Sequence, residues 1–141
     1  MVGAASLACF HVLSGRVVVA QAVKSQWDGI YTEEQARRGD GLYQQHCAAC
    51  HGPALAGGDT APALVGGEFA SNWNDLSVGD LFERIRLFMP QNNPGSLSRQ
   101  QNADILAFML LKGNYPAAAT ELPTQTEMLN QYKFLAARPA Q

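Results

Sequence analysis

Charge is scarce in this 141-residue chain. Ten Lys and Arg face twelve Asp and Glu, 16% of all residues, for a formal net charge of -2. A protein that binds nucleic acid through phosphates needs the opposite balance and a clustered basic face, and the chain has no basic run. It also lacks the roughly 18 consecutive apolar residues of a membrane-spanning helix, because Arg16 and Lys24 interrupt its apolar start. No segment alternates convincingly as a strand, and no internal repeat is found. The three cysteines include no second pair that would complete a four-ligand zinc site. What is abundant is apolar residues, at 47%, enough for one packed core but over a length too short for two. A multidomain enzyme is thereby excluded.

Residues 1–22 are poor in charge, rich in Ala and Val, and end Val19-Ala20-Gln21-Ala22, the small-x-small pattern of a signal-peptidase site. Cleavage after Ala22 is expected, although the segment has no basic start and Arg16 stands where its apolar stretch should continue. Cys9 follows Leu7-Ala8, one position too close for a lipidation signal. Loss of this leader removes Cys9, His11 and Arg16, leaving nine basic and twelve acidic side chains and a net charge of -3.

The remaining cysteines stand in Cys47-Ala48-Ala49-Cys50-His51, the attachment signature of a c-type haem. Two thiols at this spacing can each add to one vinyl group while the next residue places an imidazole beneath the iron. A redox dithiol or half a zinc site is the alternative, but no βαβ pattern surrounds the motif. His46 could add a donor only by crowding four ligands into six residues.

Periodicity and caps predict helices around this motif. Thr32 to Gln35 reads as a capping box, with Gln35 reaching back, at the start of a helix running towards His46. Gly39 and Tyr43 share one of its faces. Residues 52–76 read as a long loop rich in Gly and Pro. Ser77 to Asp80 opens a second helix, whose face is Leu81, Phe82, Ile85 and Phe88 and which Pro90 stops. Ser98 to Gln101 is a further capping box before the apolar run Ile105 to Leu111, expected to be the core helix against which Gly39 and Tyr43 pack. The tail beyond Gly113 is expected to wrap the surface, with one short amphipathic helix possible between Thr124 and Leu135.

With His51 as proximal ligand, the sixth iron position separates electron carriers from haem catalysts. His11 falls in the leader and His46 is tethered beside Cys47, which leaves Met89, Met109 and Met128. Met109 lies within the core helix and Met128 in the tail, whereas Met89 emerges from a stopped helix into a loop. Context therefore favours Met89, and a thioether raises the reduction potential.

The attachment motif, followed by Met89-Pro90 and a closing apolar helix, resembles the class I c-type cytochromes over about residues 32–113. The strings Trp27-Asp28-Gly29-Ile30-Tyr31-Thr32, Ala61-Pro62-Ala63-Leu64-Val65-Gly66, Phe69 with Trp73, and Met89-Pro90-Gln91-Asn92-Asn93-Pro94-Gly95-Ser96-Leu97-Ser98 resemble more closely the single-haem cytochromes that accompany quinoprotein (pyrroloquinoline quinone) alcohol and sugar dehydrogenases. The resemblance implies an all-α class I cytochrome c fold of three to five helices around one covalently attached haem c, with first and last helices crossing at Gly39, Tyr43 and Phe108. It implies His51 and Met89 as axial ligands, Pro62 as carbonyl acceptor for the proximal histidine, and Trp73 either at a haem propionate or packed in the haem crevice.

The expectation is a leader over 1–22 and a single cytochrome domain over 23–141, with a core at 32–113 and a tail at 114–141. The function expected is a periplasmic one-electron carrier, not an enzyme, whose partners are a quinoprotein dehydrogenase as donor and a terminal oxidase or another cytochrome as acceptor. A tightly bound dehydrogenase subunit is the first alternative. An open-site haem enzyme or gas sensor is the second.

Overall fold

The computed structural model describes residues 23–140, so the expected leader and its cleavage after Ala22, with Cys9 and His11, lie outside the described residues. A 3-10 turn at Gln26–Asp28 precedes six helices: α1 Glu33–His46, α2 Ala48–His51, α3 Gly66–Trp73, α4 Val78–Phe88, α5 Arg99–Lys112 and α6 Thr126–Leu129. The fold is all-α, with isolated bridges but no named strand among the described residues. The count exceeds the three to five expected. The tail helix is one turn long, α2 is a single turn carrying the attachment motif, and α3 lies inside the segment read as a loop.

Helix starts follow the caps. Ser77 and Asp80 form a reciprocal capping box, as do Ser98 and Gln101. At α1 only half of the expected box forms: the Thr32 hydroxyl accepts from the Gln35 amide N–H, but the Gln35 side chain turns inward instead. There its Nε2 donates to the Leu122 carbonyl and its Oε1 accepts from the Leu122 N–H. Gln26 grips Leu135 in the same way. Both glutamines are fully buried, and each presents a donor and an acceptor to one tail peptide, so their burial leaves no amide group unpaired. Residues 132–134 also thread between two other segments: Lys133 N–H donates to Lys24 O at 2.8 Å, and Phe134 N–H donates to Leu76 O at 2.8 Å.

The frame is the crossing of α1 and α5. A Cβ on Gly39 would stand 1.8 Å from the Asp104 carbonyl oxygen, so only glycine lets the backbones meet there. Beside it Tyr43 and Phe108 pack with ring centroids 5.3 Å apart. Arg38 then bridges to the buried Asp104 carboxylate through Nε at 3.1 Å and Nη2 at 3.0 Å, and reaches Glu121 of the tail at 2.9 Å. From Asn102 to Leu110 every residue of α5 is buried, as its apolar run predicts.

A second junction ties α4, α5 and the tail. Glu83 accepts from Arg86, Arg99 and Thr126, while Arg99 Nε donates to Thr124 O at 2.7 Å. The Arg86 guanidinium, followed by the Thr126 hydroxyl, holds the Glu83 carboxyl below its ordinary value against the opposing effect of burial. Between the folded and unfolded pKa values the unfolded state binds more protons, so this stabilisation is complete above the ordinary Glu value of about 4.3 and is lost as pH falls through the folded value. Acid unfolding followed by circular dichroism should show a shallower loss of stability below about pH 4 in Glu83→Gln than in the parent.

Gly39 and Gly41 make a matched pair on α1. Gly39→Ala should cost about 3 kcal/mol by overpacking. A Cβ at Gly41 meets nothing within 4 Å, so Gly41→Ala should gain about 0.5–1 kcal/mol from helix propensity. Denaturant titration of both variants checks the contrast.

Candidate haem site

The Cys47–His51 segment is one helical turn, with Cys50 exposed, Cys47 partly buried and His51 buried at 8% exposure. Burial, then the neighbouring Cys50, pushes the Cys47 thiol up to about 11. Among the described residues no three His, Cys, Asp or Glu side chains converge as a metal set. His46, the fourth donor that a zinc site would need, is exposed at the end of α1.

His51 Nδ1 faces the Pro62 carbonyl oxygen at 2.8 Å. A carbonyl only accepts, so Nδ1 carries the proton and Nε2 is left with the free lone pair, the tautomer a metal-ligating histidine needs. The loop that brings Pro62 there is tightly bonded. Gly57 N–H donates to His51 O at 2.9 Å, Leu64 N–H to Leu55 O at 2.8 Å, and the Tyr43 hydroxyl to Gly52 O at 2.7 Å. Gly57 has φ +72°, and a Cβ on it would lie 2.4 Å from Ala63 N and 2.7 Å from the Pro62 carbonyl carbon. Gly57 is thus the residue that lets Pro62 approach His51, and the sequence reading missed it. Its only sequence signal is its place among seven Gly and Pro residues between 52 and 67.

Met89 caps the C-terminus of α4 in extended backbone, its N–H donating to Ile85 O at 2.9 Å, and its side chain packs partly buried against the core. Met109 is buried within α5 and Met128 is half exposed. Trp73, at the end of α3, is partly buried with its ring centroid 6.2 Å from Phe69. Phe69 meets Phe134 edge-on, Phe134 meets Tyr115, and Tyr115 meets Trp27, a chain of aromatic contacts from α3 through the tail to the 3-10 turn. Four of these rings, with Leu64, Leu81, Leu106 and Met109, line an apolar cavity of about 190 Å³.

Residues 34–109, more than half of the chain, match the family model described as cytochrome c oxidase, cbb3-type, subunit III. The chain belongs to this family of c-type cytochromes. Its cofactor is haem c, covalently bound. The residues present fit that group: two free thiols on one turn and an adjacent buried imidazole with Nε2 free. Among solved structures the chain is similar in fold to the sulfane dehydrogenase SoxCD from Paracoccus pantotrophus, with a TM-score of 0.52 and 20% identity, over 91% of this chain and 67% of that one. No curated protein matches the chain.

The cytochrome tests the role of Gly57 directly. Gly57→Ala should displace the Pro62 segment, cost about 1–3 kcal/mol and speed solvent exchange of the His51 Nδ1 proton, measured by denaturation and NMR of the haem-loaded protein.

Proposed function

We propose that the protein is an exported one-electron carrier in which Cys47 and Cys50 attach one haem c and His51 and Met89 ligate its iron from opposite faces. The haem supplies the Fe(III)/Fe(II) couple; the chain supplies ligation, burial and a docking face. The observation that carries this reading is the Nδ1 bond of His51 to Pro62, because it presents Nε2 as a ligand and fixes the ring. Met89 is the methionine at a helix end, while Met109 is held within α5 and Met128 sits on the surface. Trp73, packed on Phe69, is assigned to the crevice wall. No helix among the described residues is long and apolar enough to cross a membrane, which is compatible with work in the periplasm.

On this reading residues 1–22 are a cleaved leader and 23–141 the working domain, with the tail after 113 fastened to the core. A quinoprotein dehydrogenase is the proposed donor, and a terminal oxidase or another cytochrome the acceptor. Support for that donor is the set of strings shared with dehydrogenase-associated cytochromes, while the structural neighbour bears the name of a sulfane dehydrogenase and speaks to fold alone. A net charge of -3 after leader loss directs the partner's contact face to be basic or apolar, acting mainly on association rate. Residence as a fixed dehydrogenase subunit is the second reading, and co-purification with a dehydrogenase separates the two.

The oxidised holoprotein should show the weak near-infrared sulfur-to-iron charge-transfer band of methionine-ligated ferric haem. Met89→Ala should keep haem covalently attached, abolish that band, lower the potential and open the reduced iron to carbon monoxide. Met109→Ala should retain the band and lose stability. A wild-type protein that is high-spin and binds carbon monoxide would instead be an open-site enzyme or sensor.

A further inference from the structure

The segment between Met89 and Ser98 leaves α4 at the proposed ligand and re-enters the core at the N-cap of α5. Two turns shape it from within: Asn93 N–H donates to Pro90 O at 2.9 Å and Ser96 N–H to Asn93 O at 3.3 Å. Most of it, Gln91 to Ser96, is exposed, and Leu97 is its first buried residue before α5. Asn102 stands directly behind that point. It is fully buried, and its Nδ2 donates both to Leu97 O at 3.1 Å and to Ser98 O at 2.8 Å. Its Oδ1, equally buried, has no partner. A buried amide with an unpaired oxygen costs stability that an apolar residue of similar shape would not. What distinguishes asparagine here is the pair of N–H groups that no apolar residue can supply.

We propose that Asn102 is a positioning residue for the sixth ligand: by gripping the last two carbonyls of the 89–98 loop, its carboxamide holds that loop closed and so holds Met89 at the iron. The inference rests on the reading of Met89 as ligand. Without the grip, the loop opens as a unit about its α4 end while α1, α5 and the attachment motif stay in place. An opened loop frees the sixth position, so an added ligand binds in proportion to the open fraction.

Imidazole titration of the oxidised holoprotein, followed by loss of the sulfur-to-iron band, measures that fraction. Losing two buried hydrogen bonds should raise the apparent imidazole affinity of Asn102→Ala by about ten- to a hundredfold. Asn102→Ser keeps a hydroxyl able to donate to the carbonyl four residues back but not to the one before it, and should fall between the two. Arg38→Ala removes the bridge from α1 to Asp104 on the same helix and is the structural control: its unfolding midpoint should drop while its imidazole affinity stays at the parent value. Should Asn102→Ala not fold, Asn102→Ser against Arg38→Ala carries the same comparison. Unchanged affinity in the Asn102 variants, or an equal rise in Arg38→Ala, would overturn the proposal while leaving Met89 as ligand. Absence of the band from the parent, or its survival in Met89→Ala, would overturn the ligand reading and this inference together.

Discussion

Two helix backbones can touch only where no side chain stands between them, and Gly39 against the Asp104 carbonyl is that place. Every other feature of the site is measured from this contact. Because α1 cannot shift on α5, its C-terminal end delivers Cys47 at a fixed height beside the core, and Tyr43 one turn earlier both packs on Phe108 and bonds Gly52 just beyond His51. The bridge from the exposed Arg38 to the buried Asp104 carboxylate runs beside the crossing and links it to the tail through Glu121. Removing Arg38 would leave the buried Asp104 carboxylate without its guanidinium, so the bridge bears on stability, while the backbone contact at Gly39 sets the crossing.

The surroundings of His51 are then built almost wholly from backbone. His51 O, Leu55 O and Pro62 O are all acceptors within one loop, and the donors that reach them are Gly57 N–H, Leu64 N–H and the imidazole itself. A lattice of peptide groups deforms less than side chains that can change rotamer, which suits a ligand whose orientation sets the electronic properties of a metal. The proposed distal side differs, since Met89 stands at the start of a largely exposed loop between α4 and α5.

The parts legible in the sequence were those governed by local rules. The attachment motif, the caps at Thr32, Ser77 and Ser98, the stop at Pro90 and the apolar face of α5 each depend on neighbours within a few positions. The crossing at Gly39 was legible as well, through its spacing from Tyr43. Helix α3 was not, because its sequence opens Gly66-Gly67 with no side-chain cap and reads as loop composition; tertiary packing of Phe69, Ala70 and Trp73 makes it a helix. The inward turn of Gln35 was hidden for the opposite reason. A glutamine three residues after a threonine satisfies the local capping rule, yet a tail peptide 87 residues away offers it two hydrogen bonds instead of one. Gly57 looked like any other loop glycine until the path of the backbone at Pro62 was known.

The grip of Gln26 on Leu135 joins residues 109 apart, so the two ends of the described chain are among the last partners to meet during synthesis. Trp27 waits for Tyr115 and Phe134 before that aromatic wall of the cavity exists. Phe134 stands more than eighty positions beyond the turn that bears Cys47 and Cys50. One wall of the cavity is thus supplied by the far end of the chain, and it is complete only when the tail is folded onto α3.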